Sequence, residues 1–193
     1  MAALTLRVGM RILFQGDSIT DCGRRQDERG LGGGYVSMVA ASLSERAPDG
    51  GITFINRGIS GNRARDVRAR WERDCVELKP DLVSVLIGIN DTWRRYDSND
   101  PTSTEAFRED YTHILEVTRD RLGVPIVLCE PFLLPLPEDR VGWREDLDPK
   151  IAVVRDLARA FATVLVPLDG IFAAASVEHE CAHWTRDGVH PTG

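Results

Sequence analysis

The chain has 193 residues, of which 42% are apolar, and it carries a formal net charge of -6. This length and apolar content suffice for one buried core, so we expect a single domain over residues 1–193. The acidic balance disfavours a protein that binds the phosphate backbone of nucleic acids. No stretch approaches the roughly 20 apolar residues of a membrane span or contains a signal-peptide core, so we expect a cytoplasmic protein with no membrane contact.

Short apolar segments alternate with segments of helical periodicity along the chain. The predicted strands cover residues 11–14, 52–55, 82–87, 126–128 and 164–166. The predicted helices begin near Tyr35 and cover residues 66–78, 104–122 and 146–161. This alternation is typical of a parallel sheet with helices on both faces. We therefore predict an α/β fold, a three-layer α/β/α flavodoxin-like sandwich with a central parallel sheet of about five strands.

Four candidate residues come shortly after predicted strands: Ser18, Gly61, Asn90 and Glu130. In open α/β sheets the reactive groups gather beyond the carboxyl ends of the strands, so these positions are the first candidates for chemistry. The proline-rich segment 133–143 has no period. We expect it to be a surface loop that walls a pocket.

Ser18 lies in the segment Gly-Asp-Ser-Ile-Thr at residues 16–20. A serine hydroxyl is a weak nucleophile until a base removes its proton, so a catalytic role requires a histidine elsewhere. His190 is the candidate base, because the glycine-containing turn from Asp187 to His190 can fold the carboxylate onto one ring nitrogen and leave the other free. Taken alone, each segment also fits an ordinary turn or a helix cap.

Asn90 and Gly61 are candidate hydrogen-bond donors to a carbonyl oxygen that becomes negatively charged. Asn90 directly follows the most apolar predicted strand, and its side-chain amide can donate. Gly61 follows the second strand and can expose its backbone N–H in the same cleft. A preorganised donor of this kind supplies roughly 3 kcal/mol of transition-state stabilisation. The alternatives are a helix-capping asparagine and a turn glycine.

The order Ser, Gly, Asn, then Asp with His closely resembles that of the SGNH (GDSL-like) hydrolases, and the resemblance spans residues 16–190. Three longer segments, at residues 56–63, 70–75 and 87–95, resemble the intracellular acetyl-xylooligosaccharide esterases of that superfamily. The resemblance implies that Ser18 is the nucleophile, His190 the general base and Asp187 its orienting carboxylate. It also implies an oxyanion hole made of the Ser18 and Gly61 N–H groups and the Asn90 amide.

The activity implied by the resemblance is hydrolysis of a small ester or an acetylated oligosaccharide, with no metal or organic cofactor. We expect Asp17, Trp93, Arg94 and Trp184 to contact the substrate, with Trp143 as a further candidate. An aromatic face can pack against a pyranose, although packing or a subunit contact would explain the tryptophans equally well.

SGNH proteins generally continue beyond the catalytic histidine into a further helix that covers the sheet. The sequence ends at Gly193, so we expect that helix to be absent and the loop with Asp187 and His190 to be poorly held. A partner chain could cover the exposed surface instead. We therefore expect a homo-oligomer.

Two other functions fit parts of the sequence. His179 and His183 lie in a His-Glu-x-x-His pattern, which on a helix can bind zinc in a metalloprotease. Arg186 and Val189 stand where the longer metzincin pattern requires glycine and histidine. The second alternative is a non-catalytic carbohydrate-binding protein on the SGNH fold. An ordinary α/β-hydrolase is disfavoured because the chain contains no Gly-x-Ser-x-Gly elbow. The glycine cluster at residues 30–34 lacks the G-x-G-x-x-G pattern of dinucleotide-binding loops.

Overall fold

The structure, a computed structural model, describes residues 4–136 and 138–192. Its centre is a five-stranded sheet in the order β2-β1-β3-β4-β5, in which every neighbouring pair is parallel. The strands are β1 (Arg11–Gly16), β2 (Thr53–Asn56), β3 (Leu82–Leu86), β4 (Ile126–Cys129) and β5 (Val164–Val166). This is the flavodoxin-like strand order. The predicted fold class and all five predicted strands are confirmed.

Helices connect the strands on both sides of the sheet. The α-helices are α1 (Ser18–Asp21), α2 (Tyr35–Arg46), α3 (Ala64–Ala69), α4 (Trp71–Asp74), α5 (Ile89–Asp97), α6 (Thr104–Arg121), α7 (Arg144–Ala160), α8 (Leu168–Glu178) and α9 (Cys181–Trp184). Two 3-10 helices cover Val76–Leu78 and Glu138–Trp143. In the described parts of the chain, residues 4–136 and 138–192, none of these helices combines the length and the hydropathy that crossing a bilayer requires.

The single helix predicted over residues 66–78 is wrong, because the structure has α3, α4 and a 3-10 helix in that region. The chain leaves helical geometry at Arg70 (φ -107°, ψ 6°) and again at Cys75 (φ -135°, ψ -64°). Val67, Trp71 and Cys75 keep a helical spacing and are all buried, so the apolar pattern does not reveal the breaks. Helices α1, α5, α8 and α9 are absent from the prediction.

The two faces of the sheet bury alternate side chains of β1. Leu13 packs in a cluster with residues of α3, α6 and α7, whereas Ile12 and Phe14 pack in a second cluster with Val36 and Ala40 of α2. This alternation follows from the two-residue period of a strand. It explains why the central strands read as continuous apolar runs, since both faces are covered.

A third apolar cluster lies at the carboxyl end of the sheet, among residues that follow the strands. It joins Ile19 of α1 and Ile89 of α5 to Leu133, Trp143 and Val189. The prediction that segment 133–143 is a surface loop is therefore wrong for Leu133, Leu134 and Trp143, which are buried. The prolines hide the apolar period of a segment that packs against the end of the sheet.

The segment that follows α9 is hydrogen-bonded on both sides of the predicted catalytic turn. Thr185 and Pro191 form an antiparallel bridge, and the Thr192 N–H donates to the Trp184 carbonyl at 2.8 Å. The Leu134 N–H donates to the Gly188 carbonyl at 2.9 Å. The expectation that this turn is poorly held is therefore wrong.

Candidate active site

Ser18 lies where β1 ends and α1 begins, at the carboxyl edge of the sheet. Asp17 is the N-cap of α1, and its Oδ1 accepts a hydrogen bond from the Ile19 N–H at 3.1 Å. Ser18 is the first helical residue, so its own backbone N–H has no partner inside the helix. The sequence therefore presents a hydroxyl and a free donor at the same point.

His190 contacts both Ser18 and Asp187. Its Nε2 lies 2.8 Å from the Ser18 Oγ, and its Nδ1 lies 2.7 Å from the Asp187 Oδ2. With the ring proton on Nδ1, the imidazole donates to the carboxylate and its Nε2 accepts from the serine hydroxyl. This arrangement has the geometry of a nucleophile, a base and an orienting acid.

The Asp187 carboxylate is held by its own turn. Its Oδ1 accepts hydrogen bonds from the N–H groups of Val189 at 3.0 Å and His190 at 2.8 Å. Burial opposes the charged form, but these bonds and the contact with the His190 ring outweigh it and lower the pKa of Asp187 to about 2. The carboxylate is therefore ionised at any pH at which the imidazole can act as a base.

The loop between β2 and α3 brings Gly61 to the same edge of the sheet. Gly61 has φ +81°, a left-handed conformation that glycine adopts readily. Its backbone N–H donates no hydrogen bond within residues 4–136 and 138–192. Asn90, in the first turn of α5, donates from its amide to the Asn62 carbonyl at 3.1 Å. One amide hydrogen of Asn90 remains for another acceptor.

Ser18, Gly61, Asn90 and His190 meet in one open cleft of about 280 Å³. Its lining includes four of the predicted catalytic and oxyanion residues, and also Trp93 and Arg94, which were predicted to contact substrate. The lining residues are Ser18, Ser60, Gly61, Asn90, Trp93, Arg94, Asp97 and His190. Asp187 lies behind His190, on the side away from Ser18.

Arg70 holds the glycine loop, and the sequence analysis gave it no role. Its guanidinium donates to the carbonyl of Arg57 at 2.9 Å, the carbonyl of Gly16 at 3.2 Å and the Oδ1 of Asn62 at 2.8 Å. The end of β1 and the loop after β2 are therefore tied to a single side chain. A signal for it was its place in segment 70–75, which resembles the acetyl-xylooligosaccharide esterases, whereas apolar periodicity gives no sign of its contacts.

Two carboxyl groups are buried under the cleft. Burial raises the pKa of Asp17 to about 7, against an opposing hydrogen bond from the Ile19 N–H. Burial likewise raises the pKa of Asp91 to about 7, although its Oδ2 accepts from the Ala64 N–H at 3.0 Å. Asp17 is only 1% exposed. The predicted contact of Asp17 with substrate is therefore wrong in this structure, because the carboxyl group caps α1 beneath the cleft.

Three further candidates lie outside the cleft lining. Trp184 donates its indole N–H to the Ala175 carbonyl at 3.2 Å and packs against His183, so its indole faces α8 and does not line the cleft. Trp143 is 8% exposed and stacks on Tyr96, with ring centroids 5.1 Å apart. Glu130 is buried and forms an ion pair with Arg155 at 2.6 Å. For Glu130 and Trp184, adjacency in sequence to a strand or to the catalytic turn does not predict the direction of the side chain.

The His-Glu-x-x-His pattern does not lie on one helix. His179 follows the end of α8 in an extended conformation (φ -135°, ψ 144°), whereas His183 lies in the short α9. Their rings stack with centroids 4.7 Å apart. Within residues 4–136 and 138–192, no group of three or more His, Cys, Asp or Glu side chains converges as a metal site would require. The zinc hypothesis needed a continuous helix, and the structure does not contain it.

Residues 14–193 match the model of the GDSL-like Lipase/Acylhydrolase family. The chain belongs to this family. Among its relatives, an acetylxylan esterase from Geobacillus stearothermophilus is 36% identical over 192 residues, covering 95% of this chain and 87% of the relative. As a member of the GDSL-like family with such a relative, the protein is a carboxylic ester hydrolase.

Solved structures of the GDSL-like family agree with this assignment. A protein of Parabacteroides merdae described as a GDSL-like lipase has a TM-score of 0.92 at 38% identity, covering 97% of this chain and 90% of that one. The Geobacillus acetylxylan esterase has a TM-score of 0.88 at 33% identity, covering 98% and 90%. Catalytic mutants of that enzyme, with an aspartate, a histidine or a serine replaced by alanine, superpose equally well.

Proposed function

We propose that this protein is a serine esterase that removes acetyl groups from carbohydrates such as xylo-oligosaccharides. The observation that carries the proposal is the continuous hydrogen-bonded chain from the Ser18 Oγ through the His190 ring to the Asp187 carboxylate. The cleft in front of Ser18 also contains Gly61 and Asn90. A hydroxyl that a base can deprotonate therefore faces hydrogen-bond donors that can stabilise the negative charge on a carbonyl oxygen.

In the first half of the reaction, the Ser18 Oγ attacks the acetyl carbonyl carbon while His190 Nε2 takes the hydroxyl proton. The tetrahedral oxyanion accepts hydrogen bonds from the Ser18 and Gly61 N–H groups and the Asn90 amide. Asp187 stabilises the imidazolium that forms. When the intermediate collapses, His190 returns the proton to the sugar oxygen, and the sugar alcohol departs.

In the second half, a water molecule repeats these steps on the acetyl-enzyme. His190 takes a proton from the water, and the hydroxide attacks the acetyl carbonyl carbon. The second tetrahedral intermediate collapses, Ser18 leaves with the proton from His190, and acetate is released. The side chains in the cleft supply the nucleophile, the base and the donors of this scheme, so we propose a reaction without a cofactor.

The proposed substrate class rests on the relatives and on the form of the cleft. The Geobacillus relative is an acetylxylan esterase. The cleft is open and shallow at about 280 Å³, with one indole, Trp93, and one guanidinium, Arg94, in its wall. An aromatic face and a hydrogen-bond donor are groups that bind a sugar ring, and we propose these two residues as the carbohydrate contacts.

The test is hydrolysis of p-nitrophenyl acetate and of acetylated xylo-oligosaccharides, with released acetate as the readout. We expect wild type to hydrolyse both and to lose activity as the acyl chain is lengthened to butyrate and octanoate. Ser18→Ala should lose the activity, whereas Ser44→Ala, on the exposed side of α2, should keep it. Binding of xylo-oligosaccharide without release of acetate would favour a carbohydrate-binding protein instead.

The wider organisation of the protein stays a prediction of the sequence. We propose one domain over residues 1–193, a homo-oligomeric assembly in the cytoplasm, and no binding of nucleic acid or membrane. Sedimentation equilibrium measures the oligomeric state. A monomer at micromolar concentration would contradict the assembly and would leave the proposed chemistry untouched.

A further inference from the structure

Arg140, in the 3-10 helix Glu138–Trp143, is enclosed by two indole rings. Its guanidinium carbon lies 4.4 Å from the ring centroid of Trp93 and 4.9 Å from that of Trp143. The ring of Trp143 stacks in turn on Tyr96 with an interplanar angle of 6°. A planar cation packed on aromatic rings is fixed in direction, which is a property of arginine that lysine reproduces poorly.

The fixed guanidinium points at the turn that carries the catalytic acid and base. Its Nη1 donates a hydrogen bond to the backbone carbonyl of Asp187. The same nitrogen lies 4.0 Å from the Asp187 Oδ2, the oxygen that contacts the His190 ring. The Trp93 ring that packs on Arg140 also lies near the catalytic base, with its centroid 6.2 Å from that of His190. Arg140 therefore contacts Asp187 directly and packs on an indole that lies beside His190.

Two other contacts of the turn with the body of the protein lie after Asp187. One is the hydrogen bond from the Leu134 N–H to the Gly188 carbonyl, and another is the packing of Val189 in the cluster under the cleft. The bridge of Thr185 with Pro191 closes the turn on itself and does not join it to the sheet. Among these three contacts, the Arg140 bond is the one made to Asp187 itself.

We propose that Arg140 is a positioning residue for the catalytic pair, which holds Asp187 in register with His190 and places a fixed positive charge beside their hydrogen bond. The inference rests on the proposed serine esterase function. Arg140 acts through Asp187 and does not line the cleft in front of Ser18.

The experiment compares Arg140→Met, which keeps much of the apolar stem but removes the charge, with Arg140→Lys, which keeps the charge. We expect Arg140→Met to lower kcat for p-nitrophenyl acetate on the order of 10²-fold with little change in KM, because misplacement of the triad affects the chemical step. Arg140→Lys should recover part of that loss. Arg119→Met is the matched control. Arg119 lies on α6, far along the chain from the catalytic turn, and its guanidinium carbon is 5.3 Å from the ring centroid of Phe161.

The split between kcat and KM, together with the response to Arg140→Lys, separates positioning from a role in packing alone. A displaced catalytic turn lowers kcat, because the misplaced groups act in the chemical step, whereas a lost contact with bound substrate raises KM. We expect a loss in kcat at constant KM, and partial recovery of kcat when lysine restores the charge.

Each outcome decides the matter once wild type is shown to hydrolyse the ester and Ser18→Ala is shown to be inactive. Equal loss of kcat in the Met and Lys variants would reduce Arg140 to a packing role and overturn the proposal, and so would a rise in KM at unchanged kcat. Wild-type kinetics in Arg140→Met would also overturn it. If thermal melting shows that Arg140→Met does not fold, Arg140→Gln replaces it as the uncharged variant. An inactive wild type would instead count against the proposed esterase function.

Discussion

The side-chain amide of Asn90 donates a hydrogen bond to the backbone carbonyl of Asn62 at 3.1 Å. This bond joins the first turn of α5 to the loop that carries Gly61. The neighbouring Asp91 adds a second connection, because its Oδ2 accepts from the Ala64 N–H at 3.0 Å. Two of the donors proposed for the oxyanion are therefore fixed relative to each other before a substrate binds, as electrostatic preorganisation requires.

Replacing Asn90 with alanine should affect the rate of the chemical step. We expect kcat for p-nitrophenyl acetate to fall about 10²- to 10³-fold, because one donor to the transition-state oxygen is lost. KM should change little, since that charge develops only in the transition state. Tyr96→Phe, on the same helix but outside the cleft lining, is the control and should keep its kcat. A rise in KM at constant kcat would assign Asn90 to ground-state binding instead.

Replacing Asp187 with asparagine should leave the fold intact and remove most of the activity. An amide oxygen can still accept the Val189 and His190 backbone N–H groups. It no longer stabilises an imidazolium or fixes the proton on Nδ1, so we expect kcat to fall about 10⁴-fold. Asp120→Asn is the control, because within residues 4–136 and 138–192 that carboxylate pairs only with the exposed Arg119. A variant with wild-type melting temperature and less than a tenfold loss would contradict the assigned role.

The sequence predicts the fold and the central part of the site well, because their signals are local. Each strand is a short apolar run. Ser18, Gly61 and Asn90 follow strands β1, β2 and β3 and meet at one edge, as the topology of a parallel sheet dictates. Asp187 and His190 are three residues apart, so their contact depends only on the turn between them.

The parts that the sequence does not predict depend on contacts between distant segments. Arg140 reaches Asp187 across 47 residues, and Arg70 reaches Gly16 across 54. Neither contact leaves a trace in a window of ten residues. Trp184 stands only three residues before Asp187 in the sequence, yet its indole faces α8. The missed helix α8 exposes apolar side chains such as Val177, so it shows no amphipathic period to detect.

Gly188 should tolerate no side chain, for two separate reasons. Its φ is +79°, and a Cβ there would overlap the backbone carbonyl oxygens of Leu134 and Leu136. Gly9 has a similar φ of +75°, but a methyl group at that position would meet no other atom within 4 Å, so Gly9→Ala measures the cost of the conformation alone. We expect about 1–2 kcal/mol for Gly9→Ala and about 3 kcal/mol for Gly188→Ala, measured by urea unfolding.

The activities of the two glycine variants should also diverge. Gly188 lies between Asp187 and His190, so relief of the overlap has to move the catalytic turn. We expect Gly188→Ala to lose kcat by at least about 10²-fold, whereas Gly9→Ala keeps the wild-type value. Equal loss of stability in both variants would mean that the turn relaxes freely and that its position does not depend on Leu134 and Leu136.

The buried carboxyl group of Asp17 should make stability depend on pH. Its pKa in the folded protein is about 7, raised from 3.8 by burial. Between these values the unfolded chain loses the proton while the folded protein retains it, so the folded state binds more protons and the free energy of unfolding falls as pH rises. Below pH 3.8 both states are protonated, and above about pH 7 both are ionised.

Asp17→Asn removes this titration and keeps an N-cap for α1, because asparagine caps helices as well as aspartate does. We expect wild type to lose stability relative to Asp17→Asn by up to about 1.4 kcal/mol per pH unit across that window. Urea unfolding of both proteins at intervals from pH 4 to 8 measures the difference. Asp91, whose pKa is also raised to about 7, titrates in both proteins, and because the charge of Asp17 is the smallest of the causes of that shift, most of its contribution cancels. Parallel curves would mean that Asp17 is ionised in the folded protein throughout, and that a neighbouring charge compensates its burial under Ser18.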